Sequence, residues 1–302
     1  MSATSHSYVL REPDHHDGAS LMVHAYEAAE EKSLVLLLIS SMSDAASFIR
    51  EHEALFVAKT ARVVVMGGVL ERCMRDDESE FILPDTSASN CAYDVRAADF
   101  VFRRCQELCV SMVVLGRSAA YAASLPAFVY DELAAVGHPV ALHLRESQLR
   151  NLDALWHRAS LPAGHADRLG LPARCDRKWF AHTFCGGEEF IDSIVDSVAA
   201  GRSVWPFVSW LHPYDALAVL SVHPTTLSTF FEVEVKTVRS TEHLVVGVND
   251  ERPGVRDAYQ LRSFLMNALR HALAESHSEM SKVRAKVGAT TAAPMVNSAH
   301  SY

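Results

Sequence analysis

The apolar run at residues 62–69, with the sequence RVVVMGGV, constrains the fold more than any other part of this chain. Consecutive apolar residues that end at two glycines are typical of a buried strand with a tight exit turn. Two similar runs, LVLLLI at 34–39 and CVSMVVLG at 109–116, are separated from it by stretches with helical periodicity. Buried strands that alternate with helices predict an α/β fold, in which helices cover both faces of a mostly parallel sheet.

The remaining periodicity extends this pattern to the carboxyl end. Helices are expected at 20–31, 43–58, 188–200 and, interrupted near Gly137 and Pro139, within 117–160; residues 161–178 have the composition of a loop. A β-hairpin is expected from strands at 231–236 and 243–249, followed by a final helix at 256–275. The sequence therefore predicts a flexible N-terminus (1–19), a single α/β domain (20–275) and a disordered tail (276–302).

Composition excludes several classes of function. The net charge of −9 and the lack of a basic stripe argue against a nucleic-acid surface. The longest apolar run is strand-sized, whereas a membrane-spanning helix needs roughly 20 residues. The first residues lack the charged and apolar regions of a secretory signal, so we expect a cytoplasmic protein whose six cysteines are reduced and serve packing.

Three motifs in order resemble the nucleoside hydrolase family. These are Met66-Gly67-Gly68, then Asn90 and Asp94 before an alanine-rich helix, and later Asp215-Ala-Leu-Ala-Val. The similarity covers residues 30–115 and 210–275. It implies the family's fold, its hydrolysis of ribonucleosides to base and ribose in purine and pyrimidine salvage, and a Ca²⁺ ion held by aspartates.

The resemblance also implies roles for single residues. Asp215 matches a calcium ligand, Met66 the methionine under the ribose, and Asn90 an asparagine that grips it. From the residues alone, Asp215 is equally an N-cap, Met66 a core residue and Asn90 a loop residue bonding its own backbone.

Two neighbouring positions depart from the family pattern. The family's glutamate before the asparagine is Ala88 here, which removes half of the ribose grip. The histidine that usually precedes the late aspartate is Tyr214, so His212 is the candidate for assisting the leaving base, with a turn-forming role as the alternative.

A larger departure concerns the metal. The family's opening strand and its Asp-x-Asp-Pro-Gly-x-Asp-Asp segment have no counterpart here, and calcium wants about six oxygen ligands. Asp14 and Asp17, with His15 and His16, are the only nearby replacements. The missing strand also leaves a sheet edge that must be covered, for which forming a homo-oligomer is one way.

Three hypotheses follow for function. The first is a nucleoside hydrolase with altered ligands, and the second is a non-catalytic, nucleoside-binding or protein-interaction pseudoenzyme. The third is a product of a longer gene whose upstream part encodes the aspartates. Because the aspartates are missing, we expect this chain to bind a ribonucleoside and to catalyse its hydrolysis poorly or not at all.

Overall fold

A computed structural model of the chain describes residues 17–75, 80–168 and 170–291. Its strands are β1 (Leu34–Leu38), β2 (Thr60–Met66), β3 (Met112–Leu115), β4 (Leu125–Pro126), β5 (Trp210–Leu211), β6 (Glu234–Val238) and β7 (Thr241–Val246). Its helices are α1 (Gly18–Ala28), α2 (Ser43–Glu51), α3 (Glu53–Lys59), α4 (Arg72–Arg75), α5 (Ser89–Ala92), α6 (Val95–Glu107), α7 (Arg117–Ala122), α8 (Phe128–Ala135), α9 (Pro139–Ser160), α10 (Arg177–Phe180), α11 (Ile191–Ala199), α12 (Tyr214–Val222), α13 (Pro224–Phe230) and α14 (Ala258–Thr291). Short turns of other helix types lie at Ala166–Arg168, Ala181–Cys185, Glu188–Phe190 and Trp205–Phe207.

Contacts divide the chain into two compact units. The first consists of the described parts of Met1–Ala122 and Tyr214–Arg256, and the second of those of Ala123–Pro213 and Asp257–Tyr302. Each unit is made from two separate stretches of chain. The prediction of one domain over residues 20–275 stays a prediction.

The first unit is built on a five-stranded sheet with the order β1-β2-β3-β7-β6. Neighbours from β1 to β7 are parallel, as in the pairs Val63↔Met112 and Val113↔Leu244, while β6 is antiparallel to β7. This arrangement confirms the predicted α/β class, with its mostly parallel sheet and carboxyl-terminal hairpin. In the described residues β1 lies at one edge of the sheet and pairs with β2.

Residues 63–66 of β2 are apolar without interruption because both faces of the strand are buried. Val63 and Val65 belong to a core that includes residues of α1, α2, α3 and α6, and both are fully buried. Val64 points to the other face and is fully buried as well, and α12 contacts β1, β2 and β3. A strand covered on both faces needs continuous apolar residues rather than alternation.

The hairpin starts later than its sequence suggests. Phe231, expected in the strand, is buried and forms an isolated bridge with Val255, so regular pairing begins at Glu234. Arg239 and Ser240 form the two-residue turn, with φ of 48° and 68°. Both are left-handed conformations that glycine or asparagine usually occupies in such turns.

The second unit has its own aromatic core, into which the sequence's cluster of tryptophans and phenylalanines folds. Trp156 meets Phe180 edge to face at 5.2 Å between ring centroids, and Phe180 contacts Phe184 at 5.0 Å. Trp205 is buried in the same cluster. The short pair β4–β5, which the sequence did not suggest, joins Leu125 to Leu211.

The chain termini differ from their expected description. Asp17 caps α1 by accepting a hydrogen bond from the Ser20 N–H at 2.7 Å, and residues 1–16 lie outside the described part. α14 continues to Thr291 rather than ending near 275, because residues 276–287 contain many helix formers and neither glycine nor proline. Residues 292–302 of the predicted tail are outside the described part.

Two expectations about membranes and cysteines can be compared with this fold. Within the described ranges, helices of the length and apolarity needed to cross a membrane are absent. All six cysteines are free thiols, and five of them are buried; only Cys109 is exposed. Burial raises the pKa of Cys91 and of Cys105 to about 12, which keeps both thiols protonated.

Candidate functional site

The exit of β2 is a close-packed turn formed by Gly67 and Gly68. A Cβ atom on Gly67 would lie 2.9 Å from Sγ of Cys91, and one on Gly68 would lie 3.4 Å from Cα of Gly116. Gly68 also has φ +89°, which L side chains rarely adopt. The first glycine is therefore required for space and the second for backbone conformation.

Asn90 lies on α5 next to this exit. Its Nδ2 donates a hydrogen bond of 2.9 Å to the carbonyl of Met66, the last residue of β2, which is buried. The structure thus brings together two of the residues that the family resemblance selects. This bond uses one of the two N–H donors of the Asn90 amide. Its role in gripping ribose stays a prediction.

Asp94 caps the following helix. Its carboxylate accepts hydrogen bonds from the Ala97 N–H and from Oγ of Ser43, both at 2.9 Å. The backbone bond from Ala97 and then the bond from Ser43 hold the pKa of Asp94 below its usual range. Asp94 is therefore the N-cap of α6, and it fixes the start of α6 against the start of α2.

A cavity of about 270 Å³ lies at the carboxyl ends of β2, β3 and β7. It is lined by the segments that follow these strands, residues 68–71, 116–118 and 247–250, together with Asp85. Ligands of open α/β sheets bind at this edge, because loops and helix starts converge there. The position of the cavity makes it the candidate binding site of the first unit.

The polar groups of this cavity are held by several hydrogen bonds and ion pairs. Nη2 of Arg117 lies 3.3 Å from Oδ2 of Asp85, whose Oδ1 accepts hydrogen bonds from the backbone and hydroxyl of Ser87. Oγ of Ser118 donates to Oδ1 of Asp250 at 2.7 Å. Such carboxylates can accept hydrogen bonds from sugar hydroxyls, and the guanidinium can bind a phosphate.

A second part of the network surrounds Glu71. Oε1 of Glu71 accepts hydrogen bonds from Nδ2 of Asn249 and from Arg252, and Arg252 also pairs with Glu234 at 2.7 Å. These bonds link the loop after β7 to the loop after β2. The wall of the cavity is thereby held by side chains from both segments.

Asp215 lies in the first turn of α12 and does not line the cavity. The residue is exposed as a whole, yet nearby protein atoms keep water from part of its carboxyl group and raise its pKa. The ring of Tyr214, its neighbour, meets Tyr121 edge to face at 6.3 Å. The proposed calcium role of Asp215 stays a prediction.

His212 belongs to the second unit, where both of its ring nitrogens are engaged. Nε2 lies 3.2 Å from the carbonyl of Thr183 and Nδ1 lies 2.8 Å from Oγ of Ser124. Since a carbonyl only accepts, Nε2 carries the proton. Burial lowers the pKa of His212 to about 4, so the ring is neutral at physiological pH and a poor proton donor. This geometry favours a structural role.

The predicted calcium ion stays a prediction. In these ranges no group of three or more His, Cys, Asp or Glu side chains is placed to hold a metal ion. Asp215 is a single carboxylate whose raised pKa opposes the charged form that a cation would need. Asp14, His15 and His16 lie outside the described residues, and Asp17 is used as the cap of α1.

Sequence reasoning missed the residues that line the cavity. Arg117, Ser118, Asn249 and Asp250 carry no motif, although each follows the end of an apolar strand. Their position directly after β3 and β7 was the usable signal, because the carboxyl ends of neighbouring parallel strands meet at one edge. The missing information was that β7, distant in sequence, pairs with β3.

Two solved structures of effector proteins are similar to this chain. The effector protein XOO4466 is 28% identical, with a TM-score of 0.64, and the match covers 85% of this chain and 65% of that one. The type III effector protein XopQ, complexed with adenosine diphosphate ribose, is 29% identical, with a TM-score of 0.65 and the same coverage. The chain thus spans about 65% of the length of these effectors.

More distant matches include a purine-preferring ribonucleoside hydrolase from Gardnerella vaginalis. It is 14% identical, with a TM-score of 0.43, and the match covers 87% of this chain and 68% of that one. A search of protein-family models and of curated proteins found no match. The similarity that bears on function is therefore the one to the two effector proteins.

Proposed function

We propose that this chain binds a ribonucleotide of the ADP-ribose type and hydrolyses N-glycosidic bonds slowly or not at all. The observation that carries the proposal is its similarity to XopQ, whose structure contains adenosine diphosphate ribose. A polar cavity at the carboxyl edge of the sheet, where α/β proteins bind ligands, supports it.

The chemistry of the cavity suits the parts of such a ligand. Arg117 supplies a guanidinium for a phosphate oxygen, and Asp250 and Glu71 supply acceptors for ribose hydroxyls. Asp85 now pairs with Arg117, so a bound phosphate would compete with that carboxylate. Because the cavity also contains three acidic side chains, we expect a ribose-containing ligand to bind better than free pyrophosphate.

We expect slow hydrolysis of the N-glycosidic bond because, among the described residues, few carboxylates are placed to activate a water molecule. Cleaving the bond between base and ribose needs an activated water on one side of an oxocarbenium-like sugar and assistance to the leaving base. The described residues offer Asp215 alone where the family gathers several aspartates. Binding without efficient hydrolysis is therefore the function that these residues support best.

A second candidate is slow ribonucleoside hydrolysis, favoured by the raised pKa of Asp215. Partial burial raises the pKa of this carboxyl group above its usual range, which makes it better suited to take up and release a proton than a fully hydrated aspartate. This candidate predicts release of free base that depends on Asp215. It remains secondary, because Asp215 does not line the cavity.

Calorimetric titration with ADP-ribose, inosine and inorganic pyrophosphate tests the binding proposal. We expect ADP-ribose to bind with saturable heat and Arg117→Gln to weaken it about tenfold, the typical effect of losing one charge-assisted hydrogen bond. Arg103→Gln is the matched control, because Arg103 is exposed on α6 and pairs only weakly with Asp99 at 4.0 Å. Equal affinity of the Arg117 variant and wild type, or no binding by wild type, would reject the proposal.

Base release from a panel of ribonucleosides, measured with calcium and again with chelator, separates the two candidates. Release that Asp215→Asn abolishes would establish the hydrolase. Asp192→Asn, on exposed positions of α11, is the control for a lost carboxylate. Binding without release would support the proposed function.

A further inference from the structure

A second cavity, in the second unit, has a chemistry that ribonucleotide binding does not use. Its volume is about 350 Å³, at the lower end of the range of roughly 300–1,000 Å³ found for small-molecule pockets. It lies between the end of α9, the start of α10 and α11. All of its lining residues belong to one unit, so its description does not depend on the other.

The walls of this cavity are largely apolar. Trp156, Val195 and Val198 contribute, together with Leu161 and Ala199. Trp156 is almost fully buried, whereas Val198 is 40% exposed although it is aliphatic. An exposed valine beside a tryptophan wall is a surface on which an apolar ligand would displace water.

The polar groups of the cavity are cationic or hydrogen-bond donors. The guanidinium of Arg177 lies over the ring of Trp156, 5.8 Å from its centroid, and His157 is exposed at the rim. No lining residue is acidic. The charge of this site is therefore complementary to an anion that carries an apolar body.

Ser160 supplies an independent observation. Its Oγ is buried and has no hydrogen-bond partner within the described residues, although Ser160 lines the cavity. A buried hydroxyl without a partner is unfavourable, whereas a ligand oxygen at that position would satisfy it. Both Ser160 and Arg177 line the cavity, so the proposal requires one ligand carboxylate to reach this hydroxyl as well as the guanidinium.

We propose that the cavity between α9, α10 and α11 binds a small apolar carboxylate, with its ring or chain against Trp156 and Val198 and its carboxylate bound by Arg177 and Ser160. The site is separate from the proposed ribonucleotide site, and neither depends on the other for its residues. A neutral ligand of the same shape would gain the apolar contacts without the charge-assisted bond.

Titration with 3-phenylpropionate and with its neutral analogue 3-phenylpropanol tests this assignment on the full chain. We expect the acid to bind about tenfold tighter than the alcohol, with a change in tryptophan fluorescence. Arg177→Gln should remove the difference between the two probes, and Val198→Asp should weaken both. Arg174→Gln, an exposed arginine outside the lining, should leave both affinities unchanged.

Ser160→Ala adds a readout that distinguishes a binding residue from a structural one. Because this substitution removes an unsatisfied hydroxyl, the free protein should be at least as stable as wild type. Its affinity for the acid should fall more than its affinity for the alcohol. Equal binding of acid and alcohol by wild type, or no saturable binding of either, would overturn the assignment. The assignment would also be overturned if the Arg177→Gln variant, shown by circular dichroism to be folded, still bound the acid more tightly than the alcohol by the wild-type factor.

Discussion

The side-chain amide of Asn90 donates a hydrogen bond of 2.9 Å to the main-chain carbonyl of Met66, 24 positions earlier in the chain. This bond connects α5 to the last residue of a central strand. Asn90 is not among the residues that line the candidate cavity, so the bond is first of all a structural one. Asn90 therefore holds the exit turn of β2, and its role in gripping ribose stays a prediction.

Replacing Asn90 with aspartate tests the structural half of this role. The carboxylate has nearly the same shape but no proton to donate, so two acceptors would face each other. We expect a loss of about 1–3 kcal/mol in the free energy of unfolding, measured by urea denaturation. Asn151→Asp, at an exposed position of α9, should change stability little. Unaltered stability of the Asn90 variant would show that the bond is dispensable.

The contact between Gly67 and Cys91 predicts a coupled pair of substitutions. Gly67→Ala would put a methyl group 2.9 Å from Sγ of Cys91, and overpacking of this kind costs about 1–3 kcal/mol. Cys91→Ala removes the sulfur atom and leaves space. In a double-mutant cycle, the combined variant should therefore lose less free energy of unfolding than the two single variants lose together. If the two losses of stability simply add, the strain caused by Gly67→Ala does not come from contact with Cys91.

Because of the buried ring of His243, we expect the folded protein to lose stability in acid. Its ring is fully buried, Nδ1 accepts a hydrogen bond from the Met112 N–H at 3.2 Å, and burial lowers its pKa to about 4. The unfolded chain takes up the proton at a pKa of 6.5. Stability is therefore complete above pH 6.5 and falls as the pH decreases towards 4, by on the order of 3 kcal/mol.

Urea unfolding at pH 7 and at pH 5 measures this effect. His243→Asn retains an acceptor for Met112 but does not titrate in this range, so its stability should depend less on pH than that of wild type. His24→Gln, on the exposed side of α1, should keep the full dependence. The same slope in all three proteins would rule out His243 as the source.

The turn between β6 and β7 offers a stabilising substitution. Ser240 has φ of 68°, which costs a residue with a side chain about 1–2 kcal/mol relative to glycine. Ser240→Gly should therefore raise the free energy of unfolding by about 1 kcal/mol, measured as an increase in Tm. Ser20→Gly, within α1, should have the opposite sign, because glycine disfavours helix.

The fold was largely predictable because its strands carry strong local signals. Residues 34–38, 63–66 and 112–115 are apolar throughout, a pattern typical of strands that are covered on both faces. The cap at Asp94 and the break before Pro139 are likewise local. The short β4–β5 pair escaped prediction because two residues contain too little periodicity to detect.

The candidate site was less predictable, because it depends on long-range pairing. The sequence selected Met66 and Asn90, which the structure joins, but gave no sign of Arg117 or Asp250. Those side chains share a cavity only because β7 lies beside β3. His212 has the residue type of a catalytic group, yet its two hydrogen bonds and burial depend on neighbours that its local sequence does not reveal.

The pairing of Val113 with Leu244 has a consequence for synthesis of the chain. When β3 leaves the ribosome, β7 has not been made, and at about 5–20 residues per second its arrival takes roughly 7–26 s. During that interval a row of apolar residues and free backbone groups stays open to other chains. Recombinant production should therefore yield more folded protein at low temperature, or with chaperones that shield nascent strands, than under rapid induction.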